Sequence, residues 1–411
     1  MKIAIIGGGA AGLMAAFSAH QAGQATIVLY EKNAFLGKKL AITGKGRCNV
    51  TNTASVAEME RVIPRGAKFL RTALYAFPPD AVRSFFEDAG VPLKEERGGR
   101  VFPVSDKARD VVDALVKQAL DSPQVTLRRE AVLSVEKDGD LFRLKSENGT
   151  DHFDRVLIAT GGKSYPLTGS TGDGYRFAEK LGHHVVSPAP ALVPLITKEA
   201  FPEEAMGLSL KNCALCVKTP SGKTVYEDFG EMLFCHFGIS GPMVLSASSY
   251  LDFEKEKQYQ FFLDLKPALS PEMLDRRILS DFEENRNRDL INAMNRLLPQ
   301  KLIVPILILA QLDLRKKVHL ITREERRRLG EVIKRLPLTV TGTRPLSEGI
   351  VTRGGVSLKE IDPRTMQSKL VPGLFFAGEV MDADALTGGF NLQIAFSTGF
   401  LAGESISREV L

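Results

Sequence analysis

The chain has no tryptophan, and only 4 cysteines and 6 histidines among its 411 residues. Four thiols are too few to staple a protein of this length, which excludes a disulfide framework. Cys213 and Cys216 form a C-x-x-C, but no second Cys/His pair with zinc-like spacing accompanies them, so no metal site is expected. Long apolar runs are also missing. LIVPILILAQL, from Leu302, is too short to cross a bilayer and contains Pro305. The opening MKIAIIGGG lacks the length of a secretory signal. A cytoplasmic protein without a membrane partner is the expectation. Aromatic residues make up 7% of the chain, which offers little for stacking on nucleic acid.

What is present is an ordinary globular composition, 44% hydrophobic and 25% charged, long enough for two or three domains. The net charge of +5 is local. Arg315 to Arg335 holds nine basic residues against Glu324, Glu325 and Glu331, and the rest of the chain is close to neutral. A solvated helix face is the plainer reading of that stretch. A contact with RNA or another polyanion is the sharper one.

GGGAAGLMAAFSAHQAGQATIVLYEK, beginning at Gly7, carries the chemistry. Lys2 to Ile6 reads as a buried parallel strand, Ala10 to Gln21 as a helix stopped by Gly23, and Thr26 to Tyr30 as a second strand ending at Glu31. In that context Gly7 makes the tight turn, Gly9 admits a pyrophosphate, and Gly12 lets the helix pack closely on the sheet. The helix N-terminus, with Ala11 in its first turn, offers free N–H groups to phosphates. Glu31, 19 residues after Gly12, is placed to accept the ribose hydroxyls of an adenosine half, with Lys32 beside it.

Two further glycine-punctuated strand ends favour FAD over NAD. One closes at Thr160, Gly161 and Gly162. The other closes at Gly378-Glu379 and is followed by Asp382, a turn at Gly388-Gly389, and a helix from about Asn391. A helix N-terminus there suits the flavin pyrimidine, where negative charge collects on reduction. No second G-x-G-x-x-G follows a strand, so NAD(P)H is expected only as a transient reductant docking over the flavin.

Several blocks resemble the HI0933-like flavoproteins, a family that includes an aminoacetone oxidase and a bile-acid-reductase-like branch. They include GGGAAGLMAA, GKKLAITGKGRCNVTN, GGRVFPVSDKA, ATGGKSYPLTGSTGDGY, FGISGP and TGGFNLQIA. The resemblance runs nearly end to end. It implies non-covalent FAD, held by Glu31, Lys38, Lys39, Arg47, Cys48, Val132, Gly161, Glu379, Asn391 and Leu392, with the Val132 backbone at the adenine; Gly44, in the same loop as Arg47 and Cys48, is a further cofactor-binding candidate. Cys235 stands where the family commonly has threonine, so no role is carried over to that hydroxyl.

The pattern predicts an α/β fold. A Rossmann-like FAD domain, residues 1–190 and 341–411, is interrupted by a β-rich barrel-like subdomain (191–269) and a helical subdomain (270–340). Ser270 before Pro271 caps one helix, and Thr322 with Glu325 forms a capping box ahead of the stripe Leu329, Val332, Ile333 and Leu336. Lys38, Lys39, Lys45 and Arg47 crowd one glycine-rich loop, where phosphates would neutralise them. Cys48 reads as packing beside the flavin unless its pKa is lowered. The catalytic residues stay unassigned. His236, an acid–base group or a turn holder, and Arg100, a ligand for a substrate carbonyl or carboxylate, are the candidates, with Thr352 and Arg353 behind them.

The expected activity is an FAD-dependent oxidoreductase acting on a small molecule. It oxidises a primary amine such as aminoacetone, or it reduces a conjugated C=C with NAD(P)H. The alternatives are reduction of uracil in RNA and a non-enzymatic FAD-binding sensor.

Overall fold

The computed structural model describes residues 1–408; the last three residues of the expected FAD domain lie outside them. Two compact units emerge: Met1–Ala191 together with the chain from Pro345 onward, and Leu192–Arg344.

The first unit is built on a five-stranded parallel sheet. Its order is Leu374–Phe376, Arg155–Ile158, Lys2–Ile6, Thr26–Tyr30, Val125–Arg128. Nearly continuous apolar strands such as KIAII and TIVLY are what a sheet covered on both faces requires. Ala10–Ala22 and the last helix, Phe390–Ser407, are apolar around most of their circumference, and each buries most of its residues. They meet through small residues. A Cβ on Gly399 would strike the Ala11 carbonyl oxygen, and one on Gly403 the Ala15 carbonyl oxygen, so the two backbones lie in direct contact.

Three smaller sheets complete this unit. In the three-stranded one that holds it, Leu141–Ser146 alternates exposed and buried residues, with Phe142 and Leu144 inward, as a sheet with one wet face should.

The second unit is a closed six-stranded barrel with helices beside it. Around the barrel run Leu195–Thr197, Gly238–Ser240, Thr224–Cys235, Ser209–Lys218, Tyr259–Asp264 and Leu336–Thr343. Closure leaves no open sheet edge. Leu215, Val217, Phe234, Phe261, Leu263, Leu338 and Val340 fill the interior.

The sixth strand differs from the sequence reading, which divided residues 336–343 between the helical segment and the return to the FAD domain. Leu336, Leu338 and Val340 are buried at period two. Leu336 therefore belongs to this strand, whereas Leu329 and Ile333 are the buried face of the helix Arg323–Lys334. Both expected caps are present. The Ser270 hydroxyl accepts from the Met273 N–H at 3.2 Å, and Thr322 with Glu325 closes a capping box.

Candidate functional site

At the first strand end, Gly7 has φ +110°, and a Cβ there would collide with the Ala159 carbonyl. A Cβ on Gly12 would overlap the Gly7 oxygen. Gly9 differs: it N-caps the helix, no side chain caps that end, and a Cβ on it would meet nothing within 4 Å. Two glycines are thus required by packing, and the third borders open space at an uncapped helix N-terminus. That is the cradle a diphosphate fits. Ala11, buried, packs its Cβ toward Gly378.

Glu31 is buried and locks the turn. One carboxylate oxygen accepts the Gly8 N–H at 2.8 Å; the other accepts the Asn33 backbone and side-chain N–H groups at 2.7 Å each. Asn33 in turn donates to the Thr168 carbonyl. Lys32 is committed elsewhere, to Asp173 and Thr171 at 2.6 Å. Val132 opens an antiparallel strand and is almost fully buried.

Sequence reasoning missed a hub around Glu379. Its carboxylate accepts Lys39 Nζ at 2.6 Å, the Ser164 hydroxyl at 2.9 Å and the Thr352 N–H at 2.8 Å. Lys39 also reaches Ser164 at 2.6 Å, and the Thr352 hydroxyl accepts the N–H groups of Lys163 and Ser164. Four distant segments meet at this one carboxylate. Gly162 is required here, since a Cβ would overlap the Thr352 hydroxyl, whereas at Gly161 (φ +72°) only Ser170 comes near. Among the described residues the Thr160 and Tyr175 hydroxyls, nearby, have no hydrogen-bond partner. Burial, reinforced by Glu379 and Asp382, pushes the Tyr175 phenol far up, so it stays a donor.

The loop after the second strand is strained. Lys45, between Gly44 (φ +57°) and Gly46 (+83°), and Cys48 both sit at φ +59°, a region that disfavours non-glycine residues. Two of its expected phosphate-facing cations are already paired with protein carboxylates. Arg47 bonds Glu96 and Asp106, and Lys39 bonds Glu379. Lys38 and Lys45 remain exposed. The Cys48 thiol is fully buried and pushed up to about 12 by that burial, which makes it packing rather than a nucleophile.

Arg100 joins Arg47. Both guanidiniums lie over the Phe102 ring, at 5.8 and 4.2 Å from its centroid, with Glu96 beside them. Gly389 (φ +98°) caps the last helix, and a Cβ there would collide with the Thr51 carbonyl. Asn391 pins the preceding loop through the Ala385 N–H and carbonyl, and Leu392 is half-buried on the same helix. Near Gly389 the Asn49 side-chain oxygen is enclosed without a donor among the described residues. Orphaned polar atoms at two of the three convergent strand and helix ends fit a bound polar group.

Other candidates fall elsewhere. His236 is exposed at the tip of the hairpin joining Thr224–Cys235 to Gly238–Ser240, in the second unit. Cys213 and Cys216 lie on one strand, where residues three apart face opposite sides. Cys213 points into the barrel, pushed up to about 11 by burial, and no redox pair forms.

Five of the nine cations in the basic stretch pair with carboxylates. Arg326 binds Asp275, Arg327 binds Glu324 and Glu331, Lys316 binds Glu325, Lys317 binds Asp289, Lys334 binds Asp264, and Arg328 donates to the Ala310 carbonyl. Its positive charge is therefore interrupted and forms no continuous surface for a polyanion.

A serine–histidine–glutamate array exists away from all these. His183 meets Glu360 at 3.0 Å and Ser368 at 2.9 Å. The Ser368 hydroxyl also accepts the N–H groups of Leu370 and Val371, so its proton goes to His183 and both lone pairs are used. It is a structural lock, with no lone pair left for attack. No group of three His, Cys, Asp or Glu side chains among the described residues is arranged to hold a metal, and no described helix is long and apolar enough to cross a membrane.

Residues 1–405 match the family described as HI0933-like protein Rossmann domain. Two curated relatives align almost end to end. A 3-dehydro-bile acid delta(4,6)-reductase of Clostridium scindens is 30% identical, covering 99% of each chain. A ribosomal RNA dihydrouridine synthase of Escherichia coli is 32% identical, covering 98% of this chain and 97% of the other. Among solved structures, E. coli quinol fumarate reductase FrdA superposes with TM-score 0.50 at 20% identity, covering 99% of this chain and 70% of that one. That likeness concerns the fold.

Proposed function

Because the chain belongs to the HI0933-like family and is an FAD-dependent oxidoreductase, we propose that it reduces a carbon–carbon double bond conjugated to a carbonyl. One observation carries this reading. The relatives that align over almost the whole chain are named for two substrates, a bile acid and a ribosomal RNA, that share this bond type. Dihydrouridine is uridine saturated at the bond conjugated to a ring carbonyl, and a Δ(4,6) system beside a 3-keto group is conjugated in the same way.

When bound, FAD supplies the hydride chemistry, replenished by NAD(P)H. The chain's own residues hold and orient it. The Gly7–Gly12 turn and the uncapped helix behind Gly9 take the diphosphate, Glu31 the adenosine ribose, and the Val132 backbone the adenine. Lys39, already held by Glu379 and Ser164, keeps one N–H for the cofactor. The loop from Gly44 to Cys48, together with Gly389, Asn391 and Leu392, lines the flavin end. Arg100, exposed and fixed over Phe102, binds the substrate carbonyl oxygen, where negative charge develops.

Reduction of uracil in RNA is the second reading, favoured by the name of the E. coli relative. The test mixes anaerobically reduced holoprotein with a steroid dienone and, separately, with uridine-containing RNA. Return of the flavin's visible absorbance, with a gain of two hydrogens in one of these products, is the expected result. Reoxidation by air alone, with O2 reduced to peroxide at the expense of a primary amine that is oxidised to its imine, would overturn the reading in favour of an oxidase.

A further inference from the structure

The second unit contains an open hollow of about 530 Å³ on the outer wall of the barrel, bordered by the end of the basic helix. Its floor is the outward row Ala214, Cys216 and Lys218, flanked by Glu227 on one neighbouring strand and Phe262 on the other. The Arg335 guanidinium lies over the Phe262 ring, 4.0 Å from its centroid.

The charges in this cavity divide into satisfied and unsatisfied. Asp264 is used on both oxygens, by Lys334 and by the Lys266 N–H. Asp228 accepts from the Tyr226 hydroxyl and the Phe229 N–H, which occupy its oxygens and leave its charge in place. Lys334 spends its donors on Asp264 and the Lys266 and Leu269 carbonyls. What remains is different. The exposed Arg335 guanidinium and the half-buried Lys218 ammonium have no hydrogen-bond acceptor among the described residues, and Glu227 stands opposite Cys216 on the neighbouring strand. The open functionality is thus two cations, one of them a planar guanidinium backed by an aromatic ring, and one carboxylate acceptor.

We propose that this cavity binds one nucleotide of a single-stranded RNA. The base stacks on the outer face of Arg335, its edge N–H donates to Glu227, and Lys218 with Arg335 holds the flanking phosphates. Unpaired RNA bases are recognised by stacking on arginine planes and aromatic rings, and the volume lies in the range of ligand pockets. This rests on the RNA reading above. It replaces the whole basic stretch by its end as the RNA contact, because Arg326, Arg327 and Arg328 are occupied within the fold.

The test uses holoprotein and a short fluorescein-labelled single-stranded RNA containing uridine. Arg335→Lys keeps the charge and removes the plane, so a purely electrostatic contact would survive it. Stacking predicts instead that Arg335→Lys and Phe262→Leu each weaken binding about tenfold, while reduction of a small dienone is unchanged. Alkylation of Cys216, mapped by mass spectrometry, should slow when RNA is added to the wild-type protein. Equal RNA affinity in wild type and Arg335→Lys, with Cys216 unprotected, would overturn the cavity while RNA reduction by the wild type still upheld the functional reading. Failure of the wild type to bind or reduce RNA would overturn both.

Discussion

Replacing Glu31 by glutamine separates the two tasks assigned to that carboxylate. In the structure its oxygens accept three N–H groups: Gly8 on one side, the Asn33 backbone and amide on the other. An amide has one acceptor oxygen. Whichever way the substituted side chain is turned, its NH2 faces either the buried Gly8 donor or the Asn33 pair, and at least one donor is left unmet. That costs about 1–3 kcal/mol of folding stability in the apoprotein. Independently, ribose hydroxyls that donate to a charged acceptor lose bonds worth roughly 1.5–3 kcal/mol, equivalent to a ~10- to 150-fold rise in the FAD Kd. Urea unfolding of the apoprotein measures the first quantity; titrating apoprotein with FAD and following quenching of flavin fluorescence measures the second. A destabilised apoprotein with unchanged FAD affinity would refute the ribose assignment and leave Glu31 as a turn lock. No change in either would refute the geometry itself.

The remaining predictions concern packing and pH. Burial holds the His183 imidazole pKa below its ordinary value, with Glu360 acting in the opposite sense. The stability this neutral ring contributes is complete above the unfolded pKa of about 6.5 and falls as pH drops from there toward the lowered folded value, by at most about 1.4 kcal/mol per pH unit. Urea midpoints measured across that interval should fall in the wild type and lose this component in His183→Gln; parallel profiles would refute it. Gly403→Val should destabilise the first unit by ~1–3 kcal/mol or more, because the added Cβ overlaps the Ala15 carbonyl oxygen. An unchanged unfolding midpoint would show that the two helices part freely.

The first strand, its glycine turn and Glu31 were legible because their chemistry is written in one contiguous stretch whose period and spacing are fixed. The barrel was legible as a β-rich insertion, but its sixth strand was not, since Pro337 and the adjoining helical stripe masked a period-two pattern. The Glu379 hub could not be read from spacing. Lys39, Ser164 and Thr352 come from segments that meet only when the sheet is assembled. Pairing of the basic stretch was hidden for the same reason, as Asp275 and Asp264 lie outside it. The opposite orientation of Cys213 and Cys216, by contrast, follows from strand geometry alone. The Gly399–Gly403 spacing of four was equally available as a sign of close helix contact.

The contact between Ala10–Ala22 and Phe390–Ser407 also sets an order of events during synthesis. The first helix emerges from the ribosome nearly a whole chain length before its partner, and the strand Arg155–Ile158 waits through the making of the barrel unit for Leu374–Phe376. The barrel unit is complete in sequence before either arrives. Until then the nascent first unit displays an unpaired strand edge and an uncovered apolar helix face, the surfaces most prone to mispairing. Glu379 and the Gly389 helix end are made in the same later segment, so the cofactor cradle closes only after the barrel unit has been made. Loading of FAD therefore waits for the segment that follows the barrel unit.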